Sequence, residues 1–333
     1  VLRIYLDQNK WIDLARAATG HPSGKAFTEA LAFARAAIAT GSASFPLDFY
    51  RYSETTKRAD PRSRNDVIDV MLELSRHHTI ALARDALPAE IDFELNRRLG
   101  RPEVPRRSEV FGLGLRHVLK DRLDLPRPDL SRLDDASKAK ILGRELDFER
   151  AFQQVVEEEL FRRGSDALQA PEFVKTIASI DARYADHETL IRSEIQRRGL
   201  TGELLEAAVR ASDLGSIQGE VIEALERVGL TWEEFVGELT PSFVQSFMDS
   251  LPTRHVTNVM RSAKLRQWEQ QWEPNDLNDL LGLPIAAVYC DVVVTERQWA
   301  HRLRVGKIDE RYGTVVLSNV ADLVPILQGA SDR

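Results

Sequence analysis

The sequence predicts an α/β fold: a parallel sheet built from the two ends of the chain, flanked by helices and interrupted by a large all-helical insertion. Three observations predict it. Strand-like and helix-like runs alternate over residues 1–100, strand-like runs vanish over 101–254, and the alternation resumes over 255–333. Each α/β part is too small to stand alone, so residues 1–100 and 255–333 are expected to close one discontinuous domain around the 101–254 insertion.

Ile4-Tyr5-Leu6 is a short run of strand formers that ends at Asp7. From Trp11 the apolar spacing turns helical, with Leu14, Ala15 and Ala18 on the same face, until Gly20 and Pro22 stop it. A second helix carries Phe27, Leu31, Ala34 and Ile38, with Ser23 as its expected cap and Gly41 as its stop. Residues 43–47 read as a second strand, followed by a helix through Glu54, and Pro61 opens another helix with Val67, Val70, Met71 and Leu74 on one face. Thr79-Ile80-Ala81-Leu82 is the third expected strand, and a helix from about Pro88 to Leu99 follows it. Toward the other end, a helix over 279–289 leads into Val292-Val293-Val294, a β-branched run of the doubly buried kind. A helix from Glu296, the strand Val315-Val316-Leu317 and an apolar tail complete the pattern.

The composition, 43% hydrophobic and 29% charged over 333 residues, is that of a globular chain with a sizeable core. No apolar run approaches the about 20 residues that span a bilayer. The run before Asp7 is too short for a signal peptide, and the single Cys290 excludes an internal disulfide framework and a multi-cysteine zinc site. A cytoplasmic protein without membrane contact is the expectation. A net charge of −7 argues against a uniformly basic nucleic-acid binder but leaves room for local basic patches and an acidic metal site.

In open parallel sheets, functional groups gather where strands deliver their carboxyl ends. Asp7 stands at such an end and Glu296 follows the 292–294 strand. Glu54 lies on the helix after the second strand, and Asp276 and Asp279 open the helix before Asp291. Converging carboxylates repel one another unless a cation or a proton intervenes, and hard oxygen donors suit Mg2+ or Mn2+. Such ions activate water and stabilise the leaving oxygen of a phosphodiester. Lys57, Arg58 and Arg62 after Glu54, and Arg297 after Glu296, are candidates for contact with a phosphate backbone.

Leu6-Asp7-Gln8-Asn9 followed by Ile12-Asp13-Leu14 resembles the opening of PIN-domain nucleases. Glu54 falls where that family carries its second acid. Asp279, ahead of Leu280 to Ala287, looks like the third, with Asp276 as its competitor, and Thr295-Glu296 is similar to the closing Thr-x-Asp, shortened by one residue and with Glu for Asp. The match covers roughly the first hundred and last eighty residues, and the helical middle is foreign to the small members of the family.

The resemblance implies a Mg2+- or Mn2+-dependent nuclease, RNA favoured over DNA, of a kind that often serves as a toxin or phage-defence effector. Asp7, Glu54 and Asp279 (or Asp276) would hold the metal, Glu296 or Asp291 would complete the site, and Asn9 and Thr295 would orient ligands or substrate. The alternative is a catalytically inactive PIN-like module that binds a protein partner through the insertion. Self-association is left open.

Overall fold

In the computed structural model, which describes residues 1–102, 109–120, 128–164, 171–267 and 269–331, Leu2–Leu6 (β1) is an inner strand of a four-stranded parallel sheet. Its neighbours are Ala43–Ser44 (β2) and, from the other end of the chain, Val292–Val294, and Val315–Leu317 lies outside the latter. The register pairs Ile4 with Val292, Tyr5 with Val293 and Leu6 with Val294. Strand side chains alternate between faces. Ile4, Leu6, Val292 and Val294 accordingly enter one apolar cluster, and Tyr5, Val293 and Val316 enter another. Both faces are covered, which is why the late strand reads as an unbroken run of valines.

On the first face pack Gln8–Ala18 (α1), Thr28–Thr40 (α2), Phe49–Thr56 (α3) and Pro61–Ser75 (α4). Asp60 caps α4 and Pro61 takes its first position, as a fixed φ and a missing N–H favour. Gly41 ends α2 in the left-handed region at φ 70°, the conformation expected of a helix-stopping glycine. Residues Pro22–Phe27 form a short 3-10 helix capped by His21, so Ser23 does not cap α2.

His78–Ile80 (β3) departs from the expected parallel sheet. It pairs antiparallel with Phe111–Leu113 (β4) and touches the segment after β2 through a single parallel bridge, Leu47 to Thr79. Pro46 has no N–H to continue a ladder beyond Phe45, and the segment after β2 meets β3 only through Leu47, whose amide donates to His78 O and whose carbonyl accepts from Ile80; the ladder partner of β3 is β4. That partner lies inside the stretch expected to be all helical. A three-residue Phe-Gly-Leu strand carries too little alternation to register in sequence, and it exists because β3 pairs with it.

After β3 come Ala83–Arg98 (α5) and, beyond β4, Gly114–Leu119 (α6), Asp135–Ile141 (α7), Glu145–Arg163 (α8) and Pro171–Arg197 (α9). Gly202–Ser216 (α10), Gln218–Val228 (α11), Trp232–Gly237 (α12), Pro241–Ser250 (α13) and Pro252–Leu265 (α14) follow. The chain then returns to the sheet through Pro274–Tyr289 (α15), the Val292–Val294 strand (β5), Arg297–Val305 (α16), Ile308–Tyr312 (α17), the Val315–Leu317 strand (β6) and Val324–Ser331 (α18). Helix α15 begins before Asp279 because Glu273 and Asp276 form a reciprocal capping box with Pro274 at the first position.

The helices of 101–254 share cores with the rest. Leu115, Leu119 and Phe161 join the first cluster, and Ala185, Ile195, Leu205 and Val209 join the second. A third cluster packs Leu87, Ile91 and Leu95 of α5 against α10, α11 and α13. Among the described residues no helix is long and apolar enough to cross a membrane.

Glu157 of α8 is buried and bolts this middle segment to the first hundred residues. Its carboxylate accepts from the Tyr52 hydroxyl at 2.5 Å and the Leu115 amide at 2.8 Å, and lies 3.0 Å from His77 Nδ1. Glu157→Ala strands those groups without partners, so chemical denaturation is expected to show a loss of about 3 kcal/mol. A loss within 0.5 kcal/mol of zero, the range of about ±0.5 kcal/mol typical of surface changes, contradicts this role.

Candidate functional site

Asp7 leaves the carboxyl end of β1 with its amide still paired to Val294 O at 2.9 Å. Its Oδ1 accepts from the Gln8 amide at 2.7 Å, so Asp7 caps α1 as well as standing at the sheet edge. Thr295 occupies the equivalent place after β5. Its amide donates to Leu317 O and its buried hydroxyl donates to Asp7 Oδ2 at 2.9 Å. Glu296, the next residue, accepts from Asn9 Nδ2 at 2.5 Å.

Two helices deliver the rest. Asp48 caps α3 by accepting from the Arg51 amide at 2.8 Å, and Arg51 and Glu54 follow on that helix at steps of three, which share a face. The Arg51 guanidinium, 1% exposed, is bonded to Asp7 Oδ1, stands 3.3 Å from Glu54 Oε2, and has its Nε 3.7 Å from Asp48 Oδ1. Helix α15 supplies Asn278, which donates to Glu54 Oε1 at 3.0 Å, and Asp279, which accepts from Trp299 Nε1 at 2.6 Å. One turn on, Gly282 is required by close approach: a Cβ there would stand 2.7 Å from Asp48 Oδ2 and 2.8 Å from the Tyr5 hydroxyl, which itself donates to Asp48 at 2.6 Å.

A pattern unites these contacts. Each of the four acids expected at the site is held by a neutral donor: Asp7 by Thr295, Glu54 by Asn278, Asp279 by Trp299 and Glu296 by Asn9. Neutral donors fix the orientation of a carboxylate without cancelling its charge. The charge is left to Arg51, one cation beside Asp7, Asp48 and Glu54.

The imbalance shows in proton affinities. Burial, and then the Asp7 charge, push the Asp279 carboxyl from its ordinary 3.8 up to about 8, against the opposing pull of Arg51 and the Trp299 hydrogen bond. Burial also raises Glu54, where Arg51 lowers it and Asp7 raises it further. For Arg51 burial alone favours the neutral form, but Tyr5, Glu54, Asp7 and Asp48 outweigh it and hold the guanidinium charged.

Other candidates lie apart from this cluster. Asp291 is at the amino end of β5, the opposite edge of a parallel sheet from Asp7, where it is exposed and accepts from the Arg3 amide at 2.7 Å. A ligand role there fails because strand direction separates the two ends of β5. Asp276 is spent on the Glu273 amide at 2.6 Å and an ion pair with Lys264, whereas Asp279 is the α15 acid whose proton affinity Asp7 and Glu54 raise. Lys57 and Arg62 are exposed past Glu54, and Arg58 is half-buried and donates to Ser63 at 2.6 Å. Arg297 is exposed at the first position of α16. Among the described residues, no three His, Cys, Asp or Glu side chains are already arranged as ligands around one point.

Sequence reasoning missed Asp48 and Arg51, although Asp48-x-x-Arg51-x-x-Glu54 repeats opposite charges along one helical face. It also missed Asn278 and Trp299, whose roles depend on which helices meet. Comparison with protein-family models, with curated proteins and with solved structures finds no match for this chain.

Two measurements test this geometry. The folded state binds the Asp279 proton more tightly than the unfolded chain does. Its stabilising effect is therefore complete below about pH 4 and is lost as pH rises through about 8. In EDTA the melting temperature is expected to fall across that interval, and Asp279→Asn to flatten the fall; an identical profile in the variant refutes the assignment. Gly282→Ala, a change that ordinarily stabilises a helix interior by about 0.4–1 kcal/mol, is expected to destabilise here because of the Asp48 contact. A raised melting temperature would contradict the close approach.

Proposed function

We propose that the protein is a Mg2+- or Mn2+-dependent phosphodiesterase acting on nucleic acid in the cytoplasm, with RNA the favoured substrate. One observation carries the reading. Asp7 and Glu54 share the Arg51 guanidinium at the carboxyl edge of a parallel sheet, and both raise the proton affinity of Asp279, so acids from three distant stretches act on one another there. Oxygen-only donors and an excess of negative charge fit a hard divalent ion.

Asp7, Glu54 and Asp279 would hold the ion, with Glu296 beside them. An ion bound there would supply an activated water and neutralise charge developing on the phosphodiester oxygens. Thr295, Asn278, Trp299 and Asn9 fix the orientation of the four carboxylates without cancelling their charge. Lys57, Arg58, Arg62 and Arg297 flank the acids along the chain and would meet the phosphate backbone. Hydrolysis joins the water oxygen to phosphorus, breaks the ester P–O bond and leaves the water proton on the departing oxygen. The resemblance to PIN-domain nucleases supports this chemistry, and with it a role as a toxin or defence effector.

A second reading has one observation in its favour. A guanidinium standing among the acids is what a permanent replacement for a metal would look like, and the protein would then be a PIN-like module that binds a partner through residues 101–254. Incubation of the full chain with single-stranded RNA and DNA in Mg2+, Mn2+ or EDTA separates the two. Metal-dependent cleavage is expected, with Asp7→Asn and Asp279→Asn slower by on the order of a hundredfold or more. Cleavage in EDTA, or undiminished cleavage by both variants, sinks the proposal. No cleavage in any buffer, with no rise in melting temperature on adding metal, favours the inert module.

A further inference from the structure

Arg51 is the most unusual residue of the site. Its side chain is 1% exposed and faces three carboxylates, yet its Nε–H has no hydrogen-bond partner among the described residues. A buried donor left unmade is costly, and native proteins seldom tolerate one without a reason. Asp48 Oδ1 lies 3.7 Å from this Nε, too far for a bond. Asp48 is itself immobilised from two sides, by the Tyr5 hydroxyl at 2.6 Å and the Arg51 amide at 2.8 Å. The guanidinium is therefore bonded to Asp7 and ion-paired with Glu54 at 3.3 Å, while Asp48 Oδ1, which already accepts from the Arg51 amide, keeps a second lone pair near the unpartnered Nε–H.

From this we propose that Arg51 is the resident counter-ion of the site and competes with a divalent cation for Asp7 and Glu54, so that Arg51 sets the metal affinity. The inference rests on the metal-dependent reading above. With no metal bound, the guanidinium holds the two acids together and offsets their repulsion. When a divalent ion takes those oxygens, two cations cannot share them. The guanidinium then moves toward Asp48, where Nε gains the acceptor it lacks. Asp48 is the carboxylate of the group that accepts from Tyr5, beside Gly282, and it has the fixed position such a docking point needs. Arg51 is thus a positioning residue acting on the ligand set.

The test is calorimetric titration of the full chain with MnCl2, alongside melting temperatures in EDTA and in saturating MnCl2, for the wild type, Arg51→Met and Arg51→Lys. Arg51→Met is expected to bind Mn2+ at least tenfold more tightly than the wild type. It should melt lower than the wild type in EDTA, with the deficit shrinking or reversing in saturating Mn2+, because a ligand that favours the native state raises its stability in proportion to affinity. Arg51→Lys keeps a charge without the planar fork and is expected to lie between the two in affinity, so it carries the same criterion should Arg51→Met not fold without metal. Equal or weaker Mn2+ binding by the variants, with the wild type binding, overturns the competition and leaves the metal-dependent reading standing. Absence of binding by all three proteins overturns both.

Discussion

A guanidinium stripped of water and enclosed by carboxylates is the interaction around which this protein is arranged. Removing an ion from water costs several kcal/mol, and only close opposite charges offset it. Arg51 obtains them from two stretches of chain: Asp7 at the end of β1, and Asp48 and Glu54 on its own helix. The converse matters as much. Without Arg51 the three acids would face one another with Asp279 close behind, and the carboxyl edge of the sheet would repel its own helices. One cation therefore decides how closely α3 and α15 approach β1.

The fold makes that approach possible by sending every strand of the main sheet in one direction. Parallel strands deliver their carboxyl ends to a common edge, and the residues that follow β1 and β5, Asp7 and Thr295, meet there within hydrogen-bond distance. Helix α15 then crosses this edge where it lacks a side chain, at Gly282, and sets down Asn278 and Asp279 a turn earlier. Tyr5 faces the second core, and its hydroxyl reaches Asp48. Position in the sheet, helix capping and a glycine gap all act on one small volume.

Much of this was legible in the chain. The strand ending at Asp7, the valine run of β5, the helix bearing Glu54 and the acid heading α15 follow from local periodicity, and their order predicted that distant acids would meet. Other features depend on contacts that no local pattern encodes. Asp291 and Glu296 flank the same strand and look equivalent in sequence; only the parallel direction of β5 sends one to each edge. Asp276 and Asp279 likewise look alike until Lys264, twelve residues away, takes the first. The β3–β4 pair is set by long-range pairing across strands of three residues, below the length at which alternation can be read. Arg51 is hidden in the chain because an arginine three residues from acids on a helix reads as an ordinary surface ion pair, and only its burial distinguishes it.

The pairing of β1 with β5 joins residues nearly three hundred positions apart. Closing so long a loop is entropically expensive, and contacts of this kind form late in folding. Synthesis proceeds from the amino end, so Asp7, Arg51 and Glu54 are made long before Asn278, Asp279, Thr295 and Trp299 exist to join them. A chain that has been translated only as far as Leu265, the end of α14, carries half of the pocket and none of its closure. The assembled pocket therefore reports that synthesis has passed Trp299.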